Sequence, residues 1–239
     1  MHKHMKLMTI LTAGLLAFNM TGFAQNDRTM KFQEEHLNLT AGWDKVFPQS
    51  NKVTYSKITF HNRYGITLAA DLYIPKNAEG KLPAIAVSGP FGAVKEQASG
   101  LYAQTLAEHG FLTIAFDPSF TGESGGQPRS VASPDINTED FSAAVDYLAT
   151  RDDVDAERIG ILGICGFGGF AINAAAMDTR VKATVASTMY DICRGTANGC
   201  FDANNNADAR YEMRRQLSQP YRPVRQSGKD TVRQDCGIL

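Results

Sequence analysis

Apolar and polar positions alternate in two distinct rhythms along this chain, and the change from one to the other marks its elements. Val53 to His61 and Thr67 to Ile74 (TLAADLYI) are strand-like runs separated by the turn NRYG, which predicts an antiparallel hairpin. Pro75 and the polar KNAEGK end the second run. PAIAVSG then reads as a buried strand, and Lys95 to His109 carries apolar residues at helical spacing before Gly110 closes it. FLTIAFD is the next strand, followed by the loop PSFTGESGGQPRSVASPD. In NTEDF, Asn137 or Thr138 is expected to cap a helix whose positive end suits Glu139 and Asp140, and which reaches about Arg151 with Phe141, Val145 and Leu148 on one face. RIGILGI (strand), GGFAINAAAM (helix) and VKATVAST (strand) complete the series. Strands alternating with helices at this spacing predict an α/β fold: a mostly parallel sheet with helices on both faces, preceded by an antiparallel hairpin.

The ends of the chain lack this regularity. Residues 1–24 have a basic start, an apolar stretch from Leu7 to Phe18 and small residues at Gly22 and Ala24, the layout of a signal peptide. That stretch is shorter than the roughly 20 residues needed to span a bilayer. The expectation is therefore an exported protein, periplasmic or secreted, with no membrane span in the mature chain. Residues 25–51 have mixed composition and read as an N-terminal extension that packs loosely, and residues 52–191 form the core. In residues 192–239 only NADARYEMRRQL looks helical, and the rest is irregular. A parallel sheet usually has more than four strands, so the fold is expected to be truncated at its C-terminal side, with a natural tail and an altered reading frame as the alternatives.

Composition narrows the function classes. With 24 basic and 25 acidic residues, the net charge of −1 leaves no electrostatic footprint for nucleic acid or an anionic membrane. The four cysteines, Cys165, Cys193, Cys200 and Cys236, are too few for a disulfide scaffold, although Cys193 and Cys200 are close enough in sequence to oxidise in an exported protein. There is no CxxC pair and no HExxH, so neither a metal nor another cofactor is expected. Oligomeric state is not legible.

The chemistry concentrates in GILGICGFGGFAI. Gly163, Ile164, Cys165 and Gly166 follow a buried strand and precede a helix, the context of a nucleophile elbow, in which a tight turn lifts the reactive side chain above the sheet. The stretch from about Val53 to Asp191 resembles the α/β-hydrolase superfamily, and within it the dienelactone-hydrolase-like branch in which cysteine replaces serine. The pieces that carry the resemblance, in the family's order, are ADLYIP, SGPFG, AFDPSFTGESGG, GICGFGG and RVKATVASTMYD. It implies that Cys165 attacks the carbonyl of a small ester, thioester or lactone to form an acyl-enzyme, with the amides of Gly166 and Phe91 as the oxyanion hole. One departure stands out: the position two after the nucleophile is usually small, and here it is Phe167.

Two other readings use the same letters. Gly166, Gly168 and Ala171 fit G-x-G-x-x-A, with Asp191 as a ribose-binding acid, but the dinucleotide fingerprint normally opens the first βαβ unit rather than following three strands. A buried structural cysteine is the other, since free cysteine is among the most buried residue types. The family order also requires an acid and then a histidine after the nucleophile, whereas His2, His4, His36, His61 and His109 all precede Cys165. A free thiol has a pKa near 8.5 and is only a few per cent thiolate at neutral pH. The expected outcome is an impaired or inactive hydrolase, or alternatively a non-catalytic domain that binds a ligand in the hydrolase pocket. Asp117 is expected to brace its own loop through nearby amides.

Overall fold

The computed structural model describes residues 35–203 and 205–218; the expected signal peptide, Cys236 and the irregular tail lie outside these residues. Strands β1 (Val53–His61) and β2 (Thr67–Pro75) form the hairpin, pairing in unbroken antiparallel register from Val53 opposite Pro75 to His61 opposite Thr67. Asn62 shapes its turn: the side-chain oxygen accepts the amides of Tyr64 and Ile66, each at 3.0 Å. Strands β3 (Leu82–Ser88), β4 (Leu112–Phe116), β5 (Val154–Ile164) and β6 (Val181–Ser187) are mutually parallel, and β2 meets β4 antiparallel. Together they make a six-stranded sheet in the order β1-β2-β4-β3-β5-β6. The expected mostly parallel sheet behind an antiparallel hairpin is thus present, with β6 a largely exposed edge.

Strand periodicity sorts side chains onto two cores. In β4, Leu112, Ile114 and Phe116 face helices α2 (Pro134–Ala149) and α3 (Phe167–Met177), sharing a cluster with Phe141, Leu148, Phe167 and Phe170. Ala115 faces the other way, onto α1 (Ala98–Glu108), where Ala103, Ala107, Val87 and Tyr73 complete a smaller core. Thr113 is buried and donates its hydroxyl to the Ala103 carbonyl at 2.8 Å, so this polar residue costs little. Helices therefore cover both faces. None of them is long and apolar enough to cross a membrane, among the described residues.

Three local expectations need correcting. Helix α2 starts earlier than NTEDF, with Ser133 at the N-cap and Pro134 in the first turn, where a missing amide hydrogen is harmless. Asn137 instead reaches back to accept the Ser133 amide at 2.9 Å. A short helix α4 (Ile192–Asn198) follows β6, and α5 (Ala207–Ser218) corresponds to the expected NADARYEMRRQL helix. Finally, the described part of the extension does not pack loosely. Phe47 is buried against α1 beside Gly100, and Trp43 stacks edge-on to Phe47 and Tyr55. Few apolar residues in this stretch make helix- or strand-like repeats, so its anchoring side chains leave no periodic trace.

Candidate active site

Cys165 sits at the turn between β5 and α3 with φ at +57°, left-handed backbone that a residue with a side chain rarely adopts. The strain is held by hydrogen bonds on both sides: the Cys165 amide donates to Ser187 of β6 at 2.8 Å, and its carbonyl accepts the Gly168 amide at 3.0 Å. The turn needs α3 to pass very close to β5. A Cβ on Gly163 would collide with the Phe167 carbonyl, which explains why a small residue stands there. The departure at Phe167 is absorbed without widening the turn, because its ring points into the core and packs edge-on against Phe91 and Phe170 at 5.1 and 5.2 Å. Cys165 itself is partly exposed.

Phe91 lies directly beside this turn. A Cβ on Gly166 would strike the Phe91 ring and come within 2.7 Å of Ile192 at the start of α4. Among the described residues, neither the Phe91 amide nor the Gly166 amide donates to another protein group. The sequence-predicted trio of Cys165, Gly166 and Phe91 is therefore brought together at the C-terminal ends of β3 and β5. Two free amides beside a raised thiol can bind an oxyanion, whose developing charge fixed dipoles stabilise.

A charged network that sequence reasoning missed lies behind the Phe91 loop. Lys95 is fully buried and pairs with Asp117 at 2.8 Å, Glu123 at 2.7 Å and Glu96 at 2.5 Å. The ammonium of Lys57 sits among Glu123 at 2.6 Å, Asp44 at 2.9 Å and Glu96 at 3.5 Å. Buried Lys45 pairs with Asp71 at 2.9 Å and with Asp44, and Tyr55 donates to Asp71 at 2.9 Å. Burial opposes the charge on Lys95, yet Asp117, Glu123 and Glu96 hold its pKa above the usual lysine value. Burial likewise opposes the charge on Glu123, but hydrogen bonds from Lys57 and Lys95 bring its pKa down to about 2. Burial pushes the Asp117 and Asp71 carboxyls up, against the pull of their lysines. The available signal was Asp71, an acid inside the otherwise apolar TLAADLYI, since a charge on a buried strand requires a partner.

Asp117 braces its surroundings as expected. Its carboxylate accepts the amides of Lys95 at 2.8 Å and Glu123 at 2.9 Å, and its carbonyl accepts the Ser124 hydroxyl at 2.7 Å. Asp191 caps α4 by accepting the Arg194 amide at 2.9 Å. The room beside Gly166 and Gly168 is taken by Phe91, Ile192 and Met189. The dinucleotide reading thus loses both its acid and its cradle. His109 bonds the Thr105 carbonyl at the end of α1, at 2.7 Å. His61 ends β1, which lies four strand spacings from β5, about 19 Å at the usual spacing. Cys193 and Cys200 are free and exposed. Asp44, Glu96 and Glu123 have the spacing of metal ligands, but the Lys57 ammonium occupies that place.

The profile of the X-Pro dipeptidyl-peptidase (S15) family matches residues 64–235. The chain belongs to that family. Its fold is that of the α/β hydrolases, the superfamily to which the sequence resemblance pointed. An uncharacterized protein of Pseudomonas aeruginosa is 68% identical over 168 residues, covering 70% of this chain and 45% of the relative. The crystal structure of a hypothetical protein from that species has a TM-score of 0.79 and 61% identity, over 82% of this chain and 61% of its own. A thiohydrolase of Aspergillus aculeatus is 35% identical over 133 residues, 56% of this chain and 41% of the relative. An α/β hydrolase from Penicillium sp. has a TM-score of 0.62 at 25% identity, over 74% of this chain and 56% of its own. The chain spans about half the length of the curated relatives it matches.

Proposed function

We propose that this S15-family chain is an exported hydrolase that opens a carboxylic ester, thioester or lactone through Cys165. The left-handed turn that raises Cys165 between β5 and α3, beside two unengaged amides, carries this reading. The thiolate attacks the carbonyl carbon and a C–S bond forms. The carbonyl oxygen takes up negative charge against the Gly166 and Phe91 amides, and collapse expels the alkoxide or thiolate leaving group. Water then attacks the thioester and releases the acid with the free thiol. The thiohydrolase name of the Aspergillus relative supports the thioester arm of this reading. Low turnover belongs to the same proposal for the described residues: His109 is engaged with the Thr105 carbonyl, and His61 stands four strands from β5.

The test uses the full chain with p-nitrophenyl acetate at alkaline pH, which favours the thiolate form of any cysteine. One acetyl group should appear on the peptide carrying Cys165, with slow release, and Cys165→Ala should carry none. Acetylation of wild type and Cys165→Ala at equal rates would remove the nucleophile role. Fast turnover at neutral pH would remove the low-activity part alone.

A further inference from the structure

Loop 89–94 carries Phe91, and consecutive residues at the end of β4 grip both ends of it. At one end Ser88 donates its hydroxyl to the Phe116 carbonyl at 3.0 Å. At the other, the Lys95 amide donates to Asp117 at 2.8 Å while the Lys95 ammonium meets the other carboxylate oxygen at 2.8 Å. Both Lys95 and Asp117 side chains are fully buried. A loop fixed only by surface contacts needs no such pair: two buried charges are costly to desolvate, and their attraction returns little net stability. What an ion pair at one carboxylate oxygen and an amide bond at the other do supply is a fixed position for the backbone. From Lys95 the network runs through Glu123 and Lys57 to Asp44 in the N-terminal segment, and Glu123 also accepts the Thr40 amide at 2.6 Å.

From this we infer that Lys95 is a positioning residue: paired with Asp117, it sets the Phe91 amide where the oxyanion forms. The inference rests on the reading of Cys165 as nucleophile and deepens it. Lys95 touches no substrate. It acts through the loop, and residues 40–57 act through Lys95. Misplacing a reacting or stabilising group by about 1 Å costs as much as 100-fold in rate.

Two reactions of Cys165 separate positioning from general damage. Acylation by p-nitrophenyl acetate passes through an oxyanion; alkylation by iodoacetamide displaces iodide and forms none. In Lys95→Met at alkaline pH, acylation should fall about 10- to 100-fold while alkylation stays within about twofold of wild type. Glu123→Gln removes one charged partner at the edge of the network and should give a smaller fall of the same selectivity, which keeps the test open where Lys95→Met folds poorly. Amide hydrogen exchange in either variant should rise across residues 89–97 and stay unchanged in α3. Parallel falls in both reactions, or no fall in either, would overturn the positioning role, as would unchanged exchange at 89–97. Wild type that fails to acylate at Cys165 sinks the nucleophile reading instead, and the exchange result then decides by itself whether Lys95 holds the loop.

Discussion

Gly163 and Gly166 bracket Cys165, and their missing side chains do different jobs. At Gly163 the obstacle to a Cβ is the backbone of Phe167, which cannot yield without moving α3. Gly163→Ala should therefore lower stability by roughly 2–4 kcal/mol, the upper range for overpacking against a rigid neighbour, read as a shift in urea midpoint at constant slope. At Gly166 the obstacle is the Phe91 ring and the tip of Ile192, both side chains. Gly166→Ala should cost less stability, about 1–2 kcal/mol, but push Phe91 aside and slow Cys165 acylation by tenfold or more. Equal stability loss in the two variants would show that Phe91 is no more mobile than the helix backbone. The elbow was legible in sequence because it needs glycine at fixed spacing around a nucleophile. Phe167 looked like a flaw only because a sequence does not say which way a side chain turns from a strained backbone.

At the scale of elements, one buried carboxylate organises the hairpin end of the sheet. Asp140 on α2 accepts Asn62 at 2.9 Å, the Ser119 amide and hydroxyl at 2.8 and 2.7 Å, and Asn137 at 3.1 Å. These donors come from the β1–β2 turn, the loop after β4 and α2 itself. Burial pushes its pKa up, while the Asn62, Ser119 and Asn137 hydrogen bonds pull it back. Asp140→Ala leaves several buried donors without acceptors and should cost about 3–5 kcal/mol by urea unfolding. Asp140→Asn keeps one acceptor and should cost less. From the sequence, Asp140 reads as a charge suited to the start of a helix, because local rules pair it with the helix end rather than with a turn 78 residues away. The same limit explains α4: its seven residues bury no side chain, so no apolar repeat announces it. Strands β2 to β5 and helices α1 to α3 were legible because each has a buried face of its own.

For the molecule as a whole, the charged network joins the N-terminal segment, the hairpin, the entry to α1 and the loop after β4. No window of sequence contains it: Glu123 accepts from Thr40, Lys57 and Lys95, positions 83, 66 and 28 residues away. Its acid response follows from signs. Hydrogen bonding holds Glu123 at about 2, below its ordinary value of 4.5, so the folded chain releases this proton more readily than the unfolded one. The stability it contributes is complete above pH 4.5 and is lost as pH falls through about 2. Asp44 runs the same way, its carboxyl held low by Lys45 and Lys57 against burial. Asp117 and Asp71 run oppositely, since burial raises them and protonation there relieves a buried charge. A bare acid titration would mix these opposing contributions, so the informative quantity is the difference between wild type and Glu123→Gln. That difference should be about 1 kcal/mol after allowance for solvent screening, constant from pH 7 down to about 5, and should shrink steadily toward pH 2. Urea unfolding of both chains at intervals across this range measures it. A difference that stays constant down to pH 2 would mean that Glu123 holds the loop by shape and hydrogen bonding rather than by its charge.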